Sequence, residues 1–383
     1  MKHSHTLARL GAVAAVAALA LTGCGTTEST GGDTGGSDSA SAACDLKIGY
    51  MGPLTGDYAN LGQNMLGGVK VALDEYNTEH ADCQVTLEEY DSQGDPEKAT
   101  PLATQVVQDD KVIGLVGPSF SGETEATGPA FAEAGLVTVS PSATNPALST
   151  NGWDTFHRVL GNDAAQAPAA AQYISGTVGS TKVFVIDDAS EYGKGIADGV
   201  ADTLGGSVID RDTVQQKQTD FSATVTKVKA SGADAVFYGG YYPEAGLMAK
   251  QLRAAGWKGA FVSGDGSLDP GFVEAAGAKG GEGAVLTCPC APNPAAFSAK
   301  YKELNGSDPG TYSAEAYDAA NVLLQGIGAG NEDRASLLDW VNNYDADGIT
   351  KHIKFDSGGE VSTVTVYAYV VKGGVIEPGT PIE

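Results

Sequence analysis

The sequence predicts an α/β protein built as two doubly wound lobes, each a parallel sheet with helices on both faces. Three observations carry this. Short β-branched runs alternate with longer segments of helical periodicity, the βαβ rhythm of parallel sheets. The series runs twice, from about residue 46 to 140 and again from 182 to 263. Beyond Cys44, 339 residues remain, which suffices for two domains of ordinary size.

In the first series strands are expected at 46–50, 85–90, 112–116 and 137–140, with helices near 62–77, 97–109 and 123–134. Asp95-Pro96 opens the second of these helices, because aspartate caps free N–H groups and proline suits a first turn. The second series reads as strands at 182–187, 207–211, 235–238 and 260–263, with helices near 191–204, 221–231 and 243–255. Helices near 295–305, 313–328 and 333–341 follow, then strands near 353–355 and 363–371. Asn343 to Gly348, NYDADG, has the look of a calcium loop, yet Lys354 stands where the twelfth-position glutamate belongs. It reads as a turn.

The N-terminus is set apart from the fold. Lys2, His3, His5 and Arg9 precede an apolar run from Leu10 to Leu21, too short for the roughly 20 residues that span a bilayer. Residues 1–23 therefore read as an export signal. Leu21-Thr22-Gly23-Cys24 resembles a lipobox, in which Cys24 becomes the acylated first residue. The alternative is an ordinary signal peptide with an incidental cysteine. From 24 to 44 the chain is small and polar, a flexible tether with a reach of roughly 25 Å. No later apolar run approaches membrane-spanning length.

A formal net charge of −25 excludes a nucleic-acid partner, whose phosphates recruit Lys and Arg. Five cysteines less Cys24 leave an even number in an exported chain, where disulfides persist. Cys44 and Cys83 each precede an expected strand, so adjacent strand starts would pair them. Cys288 and Cys290 flank Pro289 and would close a small ring. A metal site is the weaker alternative, because C-x-C without a second Cys or His pair is not a zinc pattern. No metal or cofactor is expected.

Ligands in open parallel sheets bind beyond the carboxyl ends of the strands, which singles out six loops. These are 52–62, 117–123, 140–146, 187–193, 239–243 and 264–269, rich in Ser, Thr, Tyr, Gly and Asp with hardly a Lys or Arg. Ser119, Phe120, Ser121 and Gly122 join a strand to a helix, whose N-terminal N–H groups would hold a small carboxylate. In SPSATNP the carbonyls and the Thr144 hydroxyl would accept from an ammonium, and Asp265 would neutralise it. Tyr192 and Tyr241 would cover the ligand body, Tyr242 would sit at a rim, and Tyr312 would line the pocket. Together these describe an amino-acid site.

An enzyme is the competing class. GPSFSG approaches the hydrolase elbow G-x-S-x-G, but Ser121 occupies the final glycine position and no His and acid are evidently paired with it. The chain is expected to be a binding protein without catalysis. A sensor acting through a separate partner, or a binder of another small carboxylate or amide, stays open.

GPLTGDYANLGQ, SPSATNP, EYGKG and FYGGYYPEAG together resemble the branched-chain amino-acid-binding proteins of ABC importers, within the type I periplasmic-binding family. The similarity runs from about Asp45 to the end. It implies two lobes joined by three crossovers near Gly161, Pro289 and Gly348, with ligand trapped by hinge closure. Lobe 1 would comprise 45–161 and 290–348, and lobe 2 162–289 and 349–383. The resemblance implies that Ser121 and Thr144 hold the α-carboxylate, with Ser142 contributing backbone and Thr144 also reaching the ammonium. Tyr192 and Tyr241 match tyrosines of the second lobe. Asp265 stands where a relative has glutamate, Leu61 where it has an aromatic residue, and Ser119-Phe120 also depart from that pattern. The implied ligand is leucine, isoleucine or valine, and the implied partners are a permease and its ATPases. The protein would act as a lipid-anchored monomer outside the cytoplasm.

Overall fold

The computed structural model describes residues 44–382, so the signal segment, Cys24 and the tether through Ala43 lie outside the described residues. The first series folds as β1 (Lys47–Gly52), α1 (Ala59–Glu79), β2 (Thr86–Asp91), α2 (Pro96–Gln108), β3 (Val112–Val116), α3 (Ser121–Glu133), β4 (Val137–Ser140) and β5 (Phe156–Arg158). All pairings are parallel, in the order β2-β1-β3-β4-β5. Asp95 caps α2 as expected, accepting from Glu97 N at 2.9 Å. Strand β3, Val-Ile-Gly-Leu-Val, is buried along its whole length, as a strand covered on both faces must be. Met51 and Leu115 pack with Ala99, Ala103 and Val106 of α2 and Phe131 of α3. Their neighbours Tyr50 and Val116 join the main core, since successive strand residues face opposite ways. Each such buried Val or Leu contributes about 1.5–3 kcal/mol.

The second series folds as α4 (Asp163–Gln172), β6 (Val183–Asp187), α5 (Glu191–Leu204), β7 (Val208–Thr213), α6 (Ser222–Ser231), β8 (Ala235–Gly239), α7 (Tyr242–Ala254), β9 (Ala260–Ser263), α8 (Pro270–Gly280) and β10 (Val285–Cys288). Its strand order runs β7-β6-β8-β9-β10, parallel throughout. Strand β5, helices α4 and α8, and β10 were not expected from sequence.

The chain then returns to the first sheet. Helices α9 (Ala295–Asn305), α10 (Ser313–Gly328) and α11 (Arg334–Asn342) pack there, α9 and α10 against α1, α10 and α11 against β3 and β4. The NYDADG turn instead contributes β11 (Asp345–Asp347) to an antiparallel hairpin with β12 (His352–Lys354), where His352 lies between Asp345 and Asp347. Strand β13 (Tyr367–Lys372) runs antiparallel to β10, and β14 (Val375–Ile376) and β15 (Thr380–Pro381) both pair with β13.

The third crossing lies beyond the expected Gly348. Residues 349–360 stay bonded to the first lobe: Asp318 of α10 accepts from Ile349 N and Thr350 N at 2.8 and 3.0 Å, and Lys351 Nζ reaches Val159 O at 2.8 Å. Glu360 pairs with Arg158 at 2.6 Å. Arg158 is fully buried, and a buried guanidinium needs a partner charge. The chain therefore leaves for the second sheet only between Val361 and Tyr367.

Cys44 is bonded to Cys83 across a Cα separation of 4.6 Å, and Cys288 to Cys290 across 5.0 Å.

Candidate functional site

In the first sheet the strand order reverses between β1 and β3, and in the second between β6 and β8. Ligand crevices form at such switch points, and here the two crevices face each other. They enclose a small cavity lined by Leu61, Phe120, Ser121, Ser142, Tyr192, Tyr241, Asp265, Gly266 and Tyr312.

The first lobe supplies Leu61 from α1, and Phe120 and Ser121 from the start of α3. Ser121 Oγ accepts from Asn145 N at 3.2 Å, tying the helix start to the SPSATNP loop. Ser142 lines the cavity while its hydroxyl donates to Ser119 O at 2.6 Å. Behind this loop Arg158 Nη1 donates to Ala143 O and Asn145 O at 2.6 and 3.0 Å.

The second lobe supplies Tyr192 at the first turn of α5, Tyr241 at the cap of α7, and Asp265 in the 3-10 turn Asp265–Ser267 after β9. Tyr192 Oη donates to Asp265 Oδ1 at 2.8 Å and accepts from Gly266 N at 3.0 Å. That approach requires Gly264, where a Cβ would lie 2.5 Å from Tyr192 Oη. Tyr312 Oη donates to the other oxygen of Asp265. Tyr312 holds a left-handed backbone, φ 66°, at the start of α10.

Eight of the nine residues expected at the site thus line one cavity. Thr144 does not. It is fully buried, its Oγ1 finds no hydrogen-bond partner, and its carbonyl accepts from Asp163 N at 2.9 Å. The carbonyls of Ala143, Thr144 and Asn145, expected to face an ammonium, are already engaged within the protein. Tyr242, expected at a rim, is buried and donates to Asp57 O of the other lobe at 2.5 Å.

Gly266 completes the lining without having been named from sequence, and two residues outside the lining also escaped the sequence reading. Asp163, in the first turn of α4, is buried, and neither carboxylate oxygen has a hydrogen-bond partner. Burial and then the charge of Asp265 raise its pKa, opposed by the Thr144 hydroxyl, which stands near without completing a hydrogen bond, and by Arg158. Burial likewise raises Asp265, opposed by the hydroxyls of Tyr312 and Tyr192 and by Gln166. Tyr58 lies in the 52–62 loop that was singled out. Its ring sits 4.8 Å from Tyr241, and its hydroxyl crosses to Glu244 at 3.2 Å. With Asn60 to Asp269 at 2.9 Å and Asn145 to Glu191 O at 2.9 Å, it joins the lobes in a closed state. The cavity therefore offers a buried negative end at Asp265, a helix N-terminus with Ser121 opposite, and an apolar and aromatic wall between. It can hold a molecule bearing a cation and an anion.

Burial also lifts carboxyls around the site. Glu123 rises to about 7 against hydrogen bonds from Ser92, Phe120 N and Gly94 N, Asp188 to about 7 against Ser190, and Glu315 to about 7. Each holds its proton more tightly folded than unfolded. Their contribution to stability is present below the ordinary carboxylate value of about 4 and is lost as pH rises toward 7. Buried His157, with its pKa lowered, acts in the opposite sense, against these three and the likewise raised Asp163 and Asp265. The ligand-free protein is expected to unfold at a lower temperature at pH 8 than at pH 5. A higher midpoint at pH 8 would contradict this.

The family model described as periplasmic binding protein matches residues 45–374. The chain belongs to that family. Among relatives, this chain is 30% identical to an "Amino acid binding protein" of Pseudomonas aeruginosa over 88% of its own length and 93% of the relative. It is also 30% identical to the "Leucine-, isoleucine-, valine-, threonine-, and alanine-binding protein" of the same organism, over 86% and 91%. Among solved structures it is similar to the branched-chain amino acid transporter substrate binding protein LivJ from Streptococcus pneumoniae in complex with isoleucine. That match has 28% identity and a TM-score of 0.82, and covers 88% of this chain and 99% of the other.

Proposed function

We propose that this periplasmic binding protein captures an amino acid, leucine, isoleucine or valine, between its two lobes and delivers it to an ABC permease driven by its ATPases. The observation that carries the reading is Asp265. A fully desolvated carboxylate held by two tyrosine hydroxyls, at one end of a closed cavity, is costly unless a cation meets it. An α-ammonium supplies that cation, and the α-carboxylate is then directed to Ser121, Ser142 and the start of α3. Leu61, Phe120, Tyr192, Tyr241 and Tyr312 surround the remainder. Thr144 supports this arrangement from behind the cavity wall. The protein works as a monomer, binds and does no catalysis.

A thermal-shift panel of the common amino acids tests this. A ligand at 100 times its dissociation constant stabilises by about 2.7 kcal/mol. Leucine, isoleucine and valine are expected to raise the unfolding midpoint, and a panel in which no amino acid does so would contradict the reading.

The chain is exported, is acylated at Cys24 and works outside the cytoplasm on its tether, with Cys44–Cys83 and Cys288–Cys290 oxidised. Mass spectrometry of the alkylated, non-reduced mature protein checks both points. It is expected to show acyl mass on Cys24 and no label on the other four. A bare N-terminus would refute the anchor, and four labelled thiols would refute the pairs.

A further inference from the structure

Asp163 stands at the first turn of α4 with its backbone fixed and its carboxylate unanswered. Its N–H donates to Thr144 O at 2.9 Å, and the neighbouring Asn162 accepts from Ala164 N at 2.9 Å while donating to Glu360 Oε1 at 3.0 Å. The residue is 3% exposed, and neither carboxylate oxygen has a hydrogen-bond partner. One turn along the same face of the helix, Gln166 donates to Thr287 O at 2.9 Å, and its carbonyl oxygen is likewise without a partner. Thr144 Oγ1, also unpartnered, offers a single hydrogen to these three acceptors.

Arg158 lies within electrostatic reach of Asp163, but its guanidinium is engaged by Glu360, Ser149, Ala143 O and Asn145 O. Asp265 faces the same cluster, its charge acting on Asp163 and Gln166 standing beside both. Two carboxylates in one desolvated space cannot both ionise without strong repulsion, and such a pair holds a proton between them. The other charged or titratable groups that face the pair are Arg158 from β5, Tyr192 from α5, Tyr241 from the cap of α7 and Tyr312 from the start of α10. Burial raises the three phenols, so they stay neutral where carboxyls titrate. Strand β10 and the SPSATNP loop contribute neutral threonines, Thr287 and Thr144. Asp163 is not part of the cavity lining, so it acts on a ligand through Asp265.

We propose that Asp163 and Asp265 act as one acid pair, which keeps a proton in the ligand-free protein and releases it when the ligand's ammonium arrives. The inference rests on the amino-acid reading above. Asp163 is then a positioning residue, which sets the charge on Asp265 that the ammonium meets. The proton passes from the pair to solvent, the ammonium's charge takes its place, and the ligand stays a zwitterion throughout. Because the pair binds its proton more tightly without ligand than with it, binding strengthens as pH rises, by up to about tenfold per pH unit where one proton is released.

Titration calorimetry of valine on the ligand-stripped protein, in buffers of different ionisation enthalpy between about pH 5 and 8, counts the protons exchanged. That range lies above the ordinary carboxylate value of about 4. The wild type is expected to release up to about one proton per valine and to bind more tightly as pH rises. In Asp163→Asn, Asp265 loses its anionic neighbour, so the release should drop by at least about half and the pH profile should flatten. No release, or proton uptake, by the wild type overturns the proposal whether or not the variant folds. So does an equal release from Asp163→Asn, since the proton would then come from Glu123, Asp188 or another buried acid that both proteins share. In either case valine binding itself leaves the amino-acid reading standing. A wild type that binds no amino acid would remove that reading and this inference together.

Discussion

Asp265→Asn is expected to weaken valine or leucine binding by a factor on the order of 30 or more. Asparagine keeps the shape of the side chain and one carbonyl oxygen, so Tyr192 retains its acceptor, 2.8 Å away in the wild type. The Tyr312 hydroxyl, which donates to the second oxygen, can rotate to accept from the new amide. What disappears is the charge. Removing one partner of a desolvated pair costs about 2–5 kcal/mol, and each 1.4 kcal/mol is tenfold in affinity. A deaminated analogue such as 4-methylpentanoate has no ammonium and should respond far less. Calorimetry on protein and variant with both ligands separates the cases, and equal losses for the two would mean that Asp265 shapes the lobe without reading the ammonium.

The second large effect concerns the scaffold. Glu360→Ala should destabilise the protein by about 3 kcal/mol, the low end of the range for breaking a buried ion pair. Arg158 is wholly buried and Glu360 side chain is 17% exposed, so the substitution strands a charge that water reaches poorly. Contacts from the guanidinium to Ser149, Ala143 and Asn145 remain, which keeps the estimate at that end. Replacing both members, Arg158→Met with Glu360→Leu, should recover much of the loss. Chemical denaturation measures all three proteins. A loss under about 0.5 kcal/mol for Glu360→Ala, the size of an ordinary surface substitution, would show that the pair does not hold residues 349–360 to the first lobe.

That pair also marks where sequence reading stops. Strands such as Val112–Val116 and Ala235–Gly239 were legible because runs of large apolar residues must be buried on both faces. Strand β5 was not, since His157 and Arg158 look like surface residues until their distant partners, Asn342 and Glu360, are in place. Helix α4 was missed for a different reason. Its sequence, DAAQAPAAAQ, has only alanines for an apolar face and a proline inside, so its periodicity is faint. The third crossing was misplaced because nothing local in residues 349–360 reveals that Asp318, Val159 and Arg158 hold them.

Most of the site was legible because the carboxyl ends of parallel strands select a few loops, and their residue types name the chemistry. Asp163 needed the fold. It lies on no selected loop, and its interest comes from standing beside Asp265, 102 residues away in the chain. It lies two residues past the expected crossover at Gly161, so a search for acids at crossovers would have reached it. Tyr58 had a clearer signal, an aromatic residue inside the selected 52–62 loop. Thr144 was expected at the cavity, but its loop turns so that Ser142 lines the wall.

The central claim is that one closed cavity reads both charges of an amino acid. Titration calorimetry of ligand-stripped protein with valine, its deaminated analogue 3-methylbutanoate and its decarboxylated analogue isobutylamine tests it directly. Valine is expected to bind, with each analogue weaker by at least about 30-fold, because each leaves a desolvated partner unpaired. Binding of 3-methylbutanoate as tight as that of valine would contradict the claim, since Asp265 would then face no cation.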